Sequence, residues 1–446
     1  METPICDFVK KYASDGTVRL HMPGHKGVSS IGAEPFDITE IDGADVLYSP
    51  NGIIRLSEEN AASLFSCART LFSTEGSSLS IRAMLYLALI HAKENGKQPT
   101  VAAGRNAHKV FLSAAALLDL NVSWIYPERR DSIVSCEISP SALDAFLDKN
   151  EVCAVYITSP DYLGNIADIK GLSEVCESHG ALLLVDNAHG AYLNFLSDSL
   201  HPIALGAHAC ADSAHKTLPV LTGGAYLHIS KKAPRCFFEL ADSAMSLFAS
   251  TSPSYIILQS LDMANRYIAN GYRERLAAFT KKVKTLRCAV SDIGYTLIGS
   301  EPLKLTLAPK SYGYTGEELA ALLREKNIVC EFYDRDFLVL MLTPESGNKA
   351  LDTLLTALRS IPKRAEITET VPYPERAKSV LSIREATMSP SVELDSRECV
   401  GMVLADANLS CPPAIPIAVC GEEINESALE AFRYYKIEKI RCVKTK

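Results

Sequence analysis

Apolar and polar positions follow two rhythms in the first half of this chain. Stretches with an apolar stripe at helical spacing alternate with short, almost wholly apolar runs. "SLSIRAMLYLALIHAKENG" reads as a helix stopped by glycine. "TVAAG" follows as a short buried strand, "AHKVFLSAAALLDL" as a helix, "SWIYPE" as a strand and "SALDAFLDKN" as a helix. The series continues with the strand "VCAVYITSP", the helix "IKGLSEVCESHG" and "ALLLVDNAHG", an apolar strand running into polar residues. The strand-like "IALGAHACA" and the strand "GAYLHIS" close it. Strands alternating with helices predict βαβ units, and so an α/β chain with a mostly parallel, doubly wound sheet.

Past residue 240 the rhythm changes. "SPSYIILQSLDMANRYIANGYRERLAAFTKKVKTLRCAV" predicts a long, broken helical stretch. "LKLTLAP", a helix around "GEELAALLREKN", "FLVLML" and the helix "NKALDTLLTALRSI" then predict a smaller α+β domain. "PKRAEITETVPYPERAK", rich in proline and charge, reads as a linker. The boundaries expected are an N-terminal arm with the loop "RLHMPGHKGVSSIG" over 1–35, a large domain over 36–240, a small domain over 241–365, and a linker with a C-terminal domain over 366–446. A chain of 446 residues is long enough for two or three domains.

Composition narrows the function classes. A net charge of −8 argues against a general nucleic-acid binder, which needs a basic surface. The local basic cluster "FTKKVKTLRC" sits on a helical pattern and reads as a solvated face. Thirteen cysteines are scattered with no CxxC pair, which supports neither a zinc site nor a disulfide framework. Cys136, Cys153 and Cys176 stand among apolar or mixed neighbours and are expected to act as small buried hydrophobes. The start "METPICDFVKKYASDG" has no apolar core of a signal peptide. No apolar run reaches the ~18 residues of a membrane span. A reduced, cytoplasmic protein is the expectation.

Open parallel sheets bind ligands at the carboxyl ends of their strands. After "ALLLV" come Asp186 and His189, and after "IALGAHACA" come Ser213, His215 and Lys216. "STEGSSLS" puts Gly76, Ser77 and Ser78 at a helix start, and "RNAH" after "TVAAG" ends at His108. Each has a bland reading: a helix cap, a turn cap, a structural hydrogen-bonder, a solvated lysine. Together they match what pyridoxal 5'-phosphate requires: a lysine for its aldehyde, a carboxylate for its ring nitrogen and an anion site for its phosphate. A helix start supplies the last through backbone N–H groups and the helix dipole.

The segments "LHMPGHKG", "DITEIDGADVLYSPNGII", "GRNAHK", "VDNAHGA", "SAHKTLP", "STSPSY" and "CPPAIPIAVCGEEI" run nearly the whole length of the chain. On them the chain resembles the Orn/Lys/Arg decarboxylase family in its short form, within pyridoxal-phosphate fold type I. The resemblance implies decarboxylation of lysine, ornithine or arginine towards polyamines. It makes Lys216 the Schiff-base lysine, Asp186 the partner of the pyridine nitrogen and His108 the ring-stacking imidazole. Gly76, Ser77, Ser78, Ser213 and His215 become the phosphate site, and His189 lies near the ring's hydroxyl or its carboxylate partner. Thr251 and Ser252 are then expected to reach a phosphate in a neighbouring subunit, since such sites form across a dimer. A homodimer or dimer of dimers follows. His25, in the "HMPGHKG" loop, belongs either near the substrate entrance or in a rigid Pro-Gly turn. Asp406 is either a surface aspartate or the partner of a distal ammonium or guanidinium.

Several positions depart from the family's usual pattern. Gly104 and Glu75 stand where Asp and Asn are common, Asn187 where Glu often follows the aspartate, and Val46 where a second Asp occurs. Met402 and Ala414 replace an Arg and a Gly in the tail. Glu75 would oppose a phosphate if it pointed inward, and is expected to face out. Two other readings remain: a different fold-type-I activity, such as an aminotransferase with Arg335 on the substrate carboxylate or an aldolase-type lyase, and a non-catalytic cofactor-binding protein.

Overall fold

The computed structural model describes residues 1–128, 132–407 and 415–444. The chain opens with α1 (Pro4–Ser14), α2 (Ile53–Phe65), β1 (Arg69–Ser73), α3 (Ser77–Glu94), β2 (Thr100–Gly104), α4 (Lys109–Leu118), β3 (Asn121–Ile125) and α5 (Pro140–Leu147). Next come β4 (Ala154–Thr158), α6 (Ile169–Ser178), β5 (Leu182–Asp186), β6 (Ala209–Asp212), α7 (Ala214–Thr217) and β7 (Ala225–Ile229). The helices α8 (Arg235–Glu239), α9 (Ala241–Phe248), α10 (Tyr255–Ala269) and α11 (Tyr272–Ile293) follow. The rest holds β8 (Thr296–Ile298), β9 (Lys304–Ala308), α12 (Gly316–Arg324), β10 (Phe332–Tyr333), β11 (Leu338–Met341), α13 (Gly347–Arg359), α14 (Ile383–Met388), β12 (Ser391–Asp395), α15 (Glu426–Tyr434) and β13 (Lys439–Val443).

Seven strands form one sheet in the order β1-β7-β6-β5-β4-β2-β3, the mostly parallel α/β arrangement expected. β2 pairs in parallel with β3 and β4, and β5 with β6. β7 runs antiparallel to both β1 and β6. Every residue of β5 and β6 is buried, so their side chains are apolar until each strand ends in an aspartate. "IALGAHACA" narrows to Ala209–Asp212, because Pro202 and Gly206 keep the residues before it in turns. β1 has no counterpart in the pattern reading. Its "RTLFS" is too short to show a period, and its place depends on pairing with β7.

The chain makes two compact units, residues 1–97 with 176–277 and residues 98–175 with 278–446. In the first, α3 packs on β6 and β7, and buried Leu85, Leu87, Leu227 and Ile229 belong to its core. Glu58 of α2 accepts a hydrogen bond from Phe72 N at 2.9 Å, fixing β1 to that helix. The helical stretch breaks at Asn270–Gly271, where Gly271 has φ +76. In the second, β10-β11-β9-β8 form an antiparallel sheet and β12 pairs with β13. Cys399, Leu404, Ile417, Phe432 and Cys442 belong to the core beneath that pair. Among the described residues no helix is long and apolar enough to cross a membrane, and the described cysteines form no disulfide.

Candidate active site

Most of the expected residues lie in the first unit, at the ends of β5 and β6 and the start of α3. Asp186 ends β5 almost wholly buried, its Oδ1 accepting from Ala188 N at 3.2 Å. Ser213 caps the single turn α7, which carries His215 and Lys216. Lys216 Nζ lies 3.0 Å from His189 Nε2. Lys216 is half-buried and His189 buried, so this amine and imidazole meet where little water competes. The resemblance sets His189 near the cofactor ring's hydroxyl or its carboxylate partner; the contact with Lys216 is one the sequence did not indicate.

Ser213 Oγ donates to Ser77 Oγ at 2.8 Å, which ties α7 to the first turn of α3. Gly76 caps α3 at φ +73 and ψ 178, and as a glycine it offers no side chain to the helix's first N–H groups. A Cβ at Gly76 would come near only Ser78 N, at 3.9 Å, so the space before the helix is open. The Gly223–Gly224 pair serves the same corner. Gly76 N donates to Gly223 O at 2.7 Å, and His215 N and Nδ1 approach Gly224 O at 3.1 and 3.0 Å. A Cβ on Gly223, at φ +98, would stand 2.8 Å from Thr74 O. These residues fit pyridoxal 5'-phosphate. There is an amine beside an imidazole, a buried carboxylate, and an open helix start where the hydroxyls of Ser77 and Ser213 meet and Ser78 follows in the first turn.

Glu75 is exposed and accepts from Ser250 N at 2.7 Å, so its charge is turned outward. Thr251 and Ser252 are exposed on the loop between α9 and α10. His25 is held inside its own loop: Nδ1 accepts from Gly27 N at 3.0 Å and Nε2 lies 3.2 Å from Asp37 Oδ2.

Below the strand ends is a buried polar group that the pattern did not mark. Asp212 Oδ1 accepts from Asn187 Nδ2 at 2.7 Å, and its Oδ2 lies 3.0 Å from His201 Nε2 and 3.5 Å from His228 Nε2. All these side chains are shielded from solvent. Burial opposes the charge on Asp212, but the imidazoles of His201 and His228 outweigh it and hold the carboxyl well below its usual range. Burial likewise opposes a proton on His228, yet the Asp212 carboxylate 3.5 Å away pushes its pKa up to about 9. His201 is pushed down by burial. Only the polar end of "ACAD" could have signalled this group, because its histidines come from distant positions.

The second unit holds the remaining expected residues. His108 caps α4, Nδ1 accepting from Val110 N at 3.2 Å. Three residues before it, Arg105 stacks on Trp124 and donates to Pro416 O at 3.0 Å and Ile417 O at 3.2 Å. Its guanidinium also pairs with buried Glu422 at 3.3 Å. Arg105 thus fastens the tail to the loop that carries His108. Asp406 is half-buried and precedes the undescribed residues; Met402 packs on the tail's core, and Ala414 lies outside the described residues. Arg335 is taken up by Glu369 at 2.7 Å and by the Tyr434 ring.

Comparison with known proteins extends this picture. Residues 3–298 match the family model described as Orn/Lys/Arg decarboxylase, major domain. The arginine decarboxylase of Bacillus subtilis (strain 168) is 29% identical over 457 residues, covering 95% of this chain and 92% of that protein. The arginine decarboxylase of Halalkalibacterium halodurans is 28% identical, covering 97% and 93%. Lysine decarboxylase A from Pseudomonas aeruginosa has the same fold, with a TM-score of 0.82 at 16% identity over 99% of this chain and 80% of that one. The chain belongs to the Orn/Lys/Arg decarboxylase family.

Proposed function

We propose that this chain decarboxylates a basic amino acid with pyridoxal 5'-phosphate held on Lys216. Arginine is the first substrate to test, because several relatives matched over nearly their full length bear that name. The observation that carries the reading is Lys216 Nζ at 3.0 Å from His189 Nε2, on the same corner as buried Asp186 and the Ser77–Ser213 pair.

When bound, the cofactor supplies a ring that takes up the electron pair left by departing CO2. Asp186 would keep a proton on the ring nitrogen, which makes the ring a better acceptor. The N–H groups of the α3 start, with the Ser77, Ser78 and Ser213 hydroxyls, would hold the phosphate. Lys216 would hold the cofactor through its aldehyde. With His189 at hydrogen-bond reach, the pair is placed to return a proton to Cα. His108 would lie against the ring face, and Thr251 and Ser252 would reach the phosphate of a second copy. Val18, Leu20 and Ile31 in the N-terminal arm are 78%, 89% and 87% exposed, apolar surface that a second copy would cover in a homodimer. Arg335 is engaged elsewhere, which weighs against the aminotransferase alternative.

The test is incubation of the protein and cofactor separately with arginine, lysine and ornithine, following CO2 and amine. Release from one substrate, abolished in Lys216→Ala, is expected. Cofactor bound through Lys216 with no release from any of the three would refute the decarboxylase reading and favour transamination or a non-catalytic role.

A further inference from the structure

We propose that Asp212 is a positioning residue: through Asn187 and His228 it locks the strand ends bearing Asp186 and Lys216 into one register. The network runs across four adjacent strands. Thr70 of β1 lies 2.9 Å from His228 Nδ1 on β7; His228 Nε2 faces Asp212, the last residue of β6; and Asp212 accepts from Asn187, the first residue past β5. Asn187 N also donates to Ala211 O at 3.0 Å, so backbone and side chain hold the same joint.

Both ends of the Asn187–Asp212 bond adjoin the site. Asn187 sits between Asp186 and His189, and Asp212 directly precedes Ser213 and lies four residues before Lys216. The loop closes tightly over Asn187. Gly190 N donates to its carbonyl at 2.8 Å, and a Cβ on Gly190 would fall 2.0 Å from its Oδ1. The Asp212 carboxylate, an acceptor, fixes the Asn187 amide with Nδ2 towards it, and Gly190 leaves room for the amide oxygen on the other side. A slip of this joint would move Asp186 and His189 on one side and Lys216 on the other.

The identity of residue 187 also follows. Glutamate often stands there in the family this chain resembles, but here a carboxylate would face the buried carboxylate of Asp212, whose charge His201 and His228 already balance, and a second like charge at that distance would be uncompensated. An amide instead presents a donor. The buried negative charge of this layer is thus placed on β6, and residues 187 and 212 are constrained as a pair.

This inference rests on Lys216 as the cofactor lysine, and the experiment separates the two. Asn187→Asp, Asp212→Asn and the double variant are made, and each is melted without cofactor and titrated with pyridoxal 5'-phosphate by absorbance. Asn187→Asp, which keeps size and adds only charge, is expected to lower the melting temperature by roughly 5–15 °C, as an uncompensated buried charge does. The double variant, with the charge exchanged across the same bond, is expected to melt above Asn187→Asp and above the sum of the single effects. Cofactor affinity is expected to fall about tenfold or more in Asn187→Asp, by analogy with losing an outer partner of a metal ligand, and to recover in the double variant. Asn187→Ala, which removes the donor without adding charge, covers the case in which Asn187→Asp fails to fold; it is expected to keep its fold and lose affinity. Additive melting shifts, or unaltered cofactor affinity in both Asn187→Asp and Asn187→Ala, would overturn the proposal. Non-additive melting in a protein that binds no cofactor at all would instead leave the joint standing and remove the function assigned to it.

Discussion

Lys216 illustrates how much of a residue's role its neighbours decide. Its own turn is short, with Ser213 as cap and a backbone bond from Lys216 N to Ser213 O at 3.0 Å. What marks it out is His189 Nε2 at 3.0 Å, on a different strand end. An imidazole at that distance can hold or pass a proton, a task that contributes about 10² to 10⁴ in rate. His189→Ala is therefore expected to lower kcat by about 10² while leaving cofactor absorbance largely intact. Steady-state kinetics with arginine, set beside a cofactor titration, check this. Unchanged kcat would remove His189 from the proton path.

At the scale of elements, α3 and the turn before β7 depend on each other. The α3 start is left open because its N-cap, Gly76, adopts φ +73 and has no side chain to cap the helix. That conformation is held by Gly223 O, which accepts from Gly76 N at 2.7 Å. Gly223 cannot carry a side chain, since its φ is +98 and a Cβ would reach 2.8 Å from Thr74 O. Gly223→Ala is expected to cost about 2 kcal/mol of stability and to weaken phosphate retention. Thermal melting with and without pyridoxal 5'-phosphate measures both. A variant that melts lower yet binds cofactor as tightly as the parent would show that the turn supports the fold and not the phosphate. The helix start itself was legible from "EGSS". The brace behind it was not, because no local pattern joins residue 76 to residue 223.

For the molecule as a whole, two buried groups set a pH dependence. Burial pushes Glu58 up to about 8, against the hydrogen bond from Phe72 N. A carboxyl so raised keeps its proton in the folded state when the unfolded chain has lost it. Stability from this source therefore falls as pH rises from the usual carboxylate range to about 8. His228, raised to about 9 by Asp212, contributes stability that is complete below the ordinary histidine pKa and lost as pH rises through about 9. The two windows overlap, so melting temperature is expected to decline most steeply between about pH 6.5 and 8. Glu58→Gln should flatten the lower part of the curve and Asp212→Asn the upper part. A melting temperature that rises across this range would contradict both assignments.

By itself the sequence determined the alternation of strands and helices, and with it the mostly parallel sheet. Apolar runs such as "LLLV" are buried on both faces and leave few alternatives. It also marked Asp186, Ser77, Ser213 and Lys216 as candidates, because polar residues directly after such runs stand at the carboxyl edge of the sheet. Only the tertiary structure decided which atoms meet. The His189–Lys216 contact, the Gly223 brace, the clamp of Arg105 on the tail and the Asp212 layer each join residues far apart in the chain. Local periodicity reports which face a side chain takes. Strand order and register decide what stands opposite it, and these depend on pairing energies summed over the whole sheet.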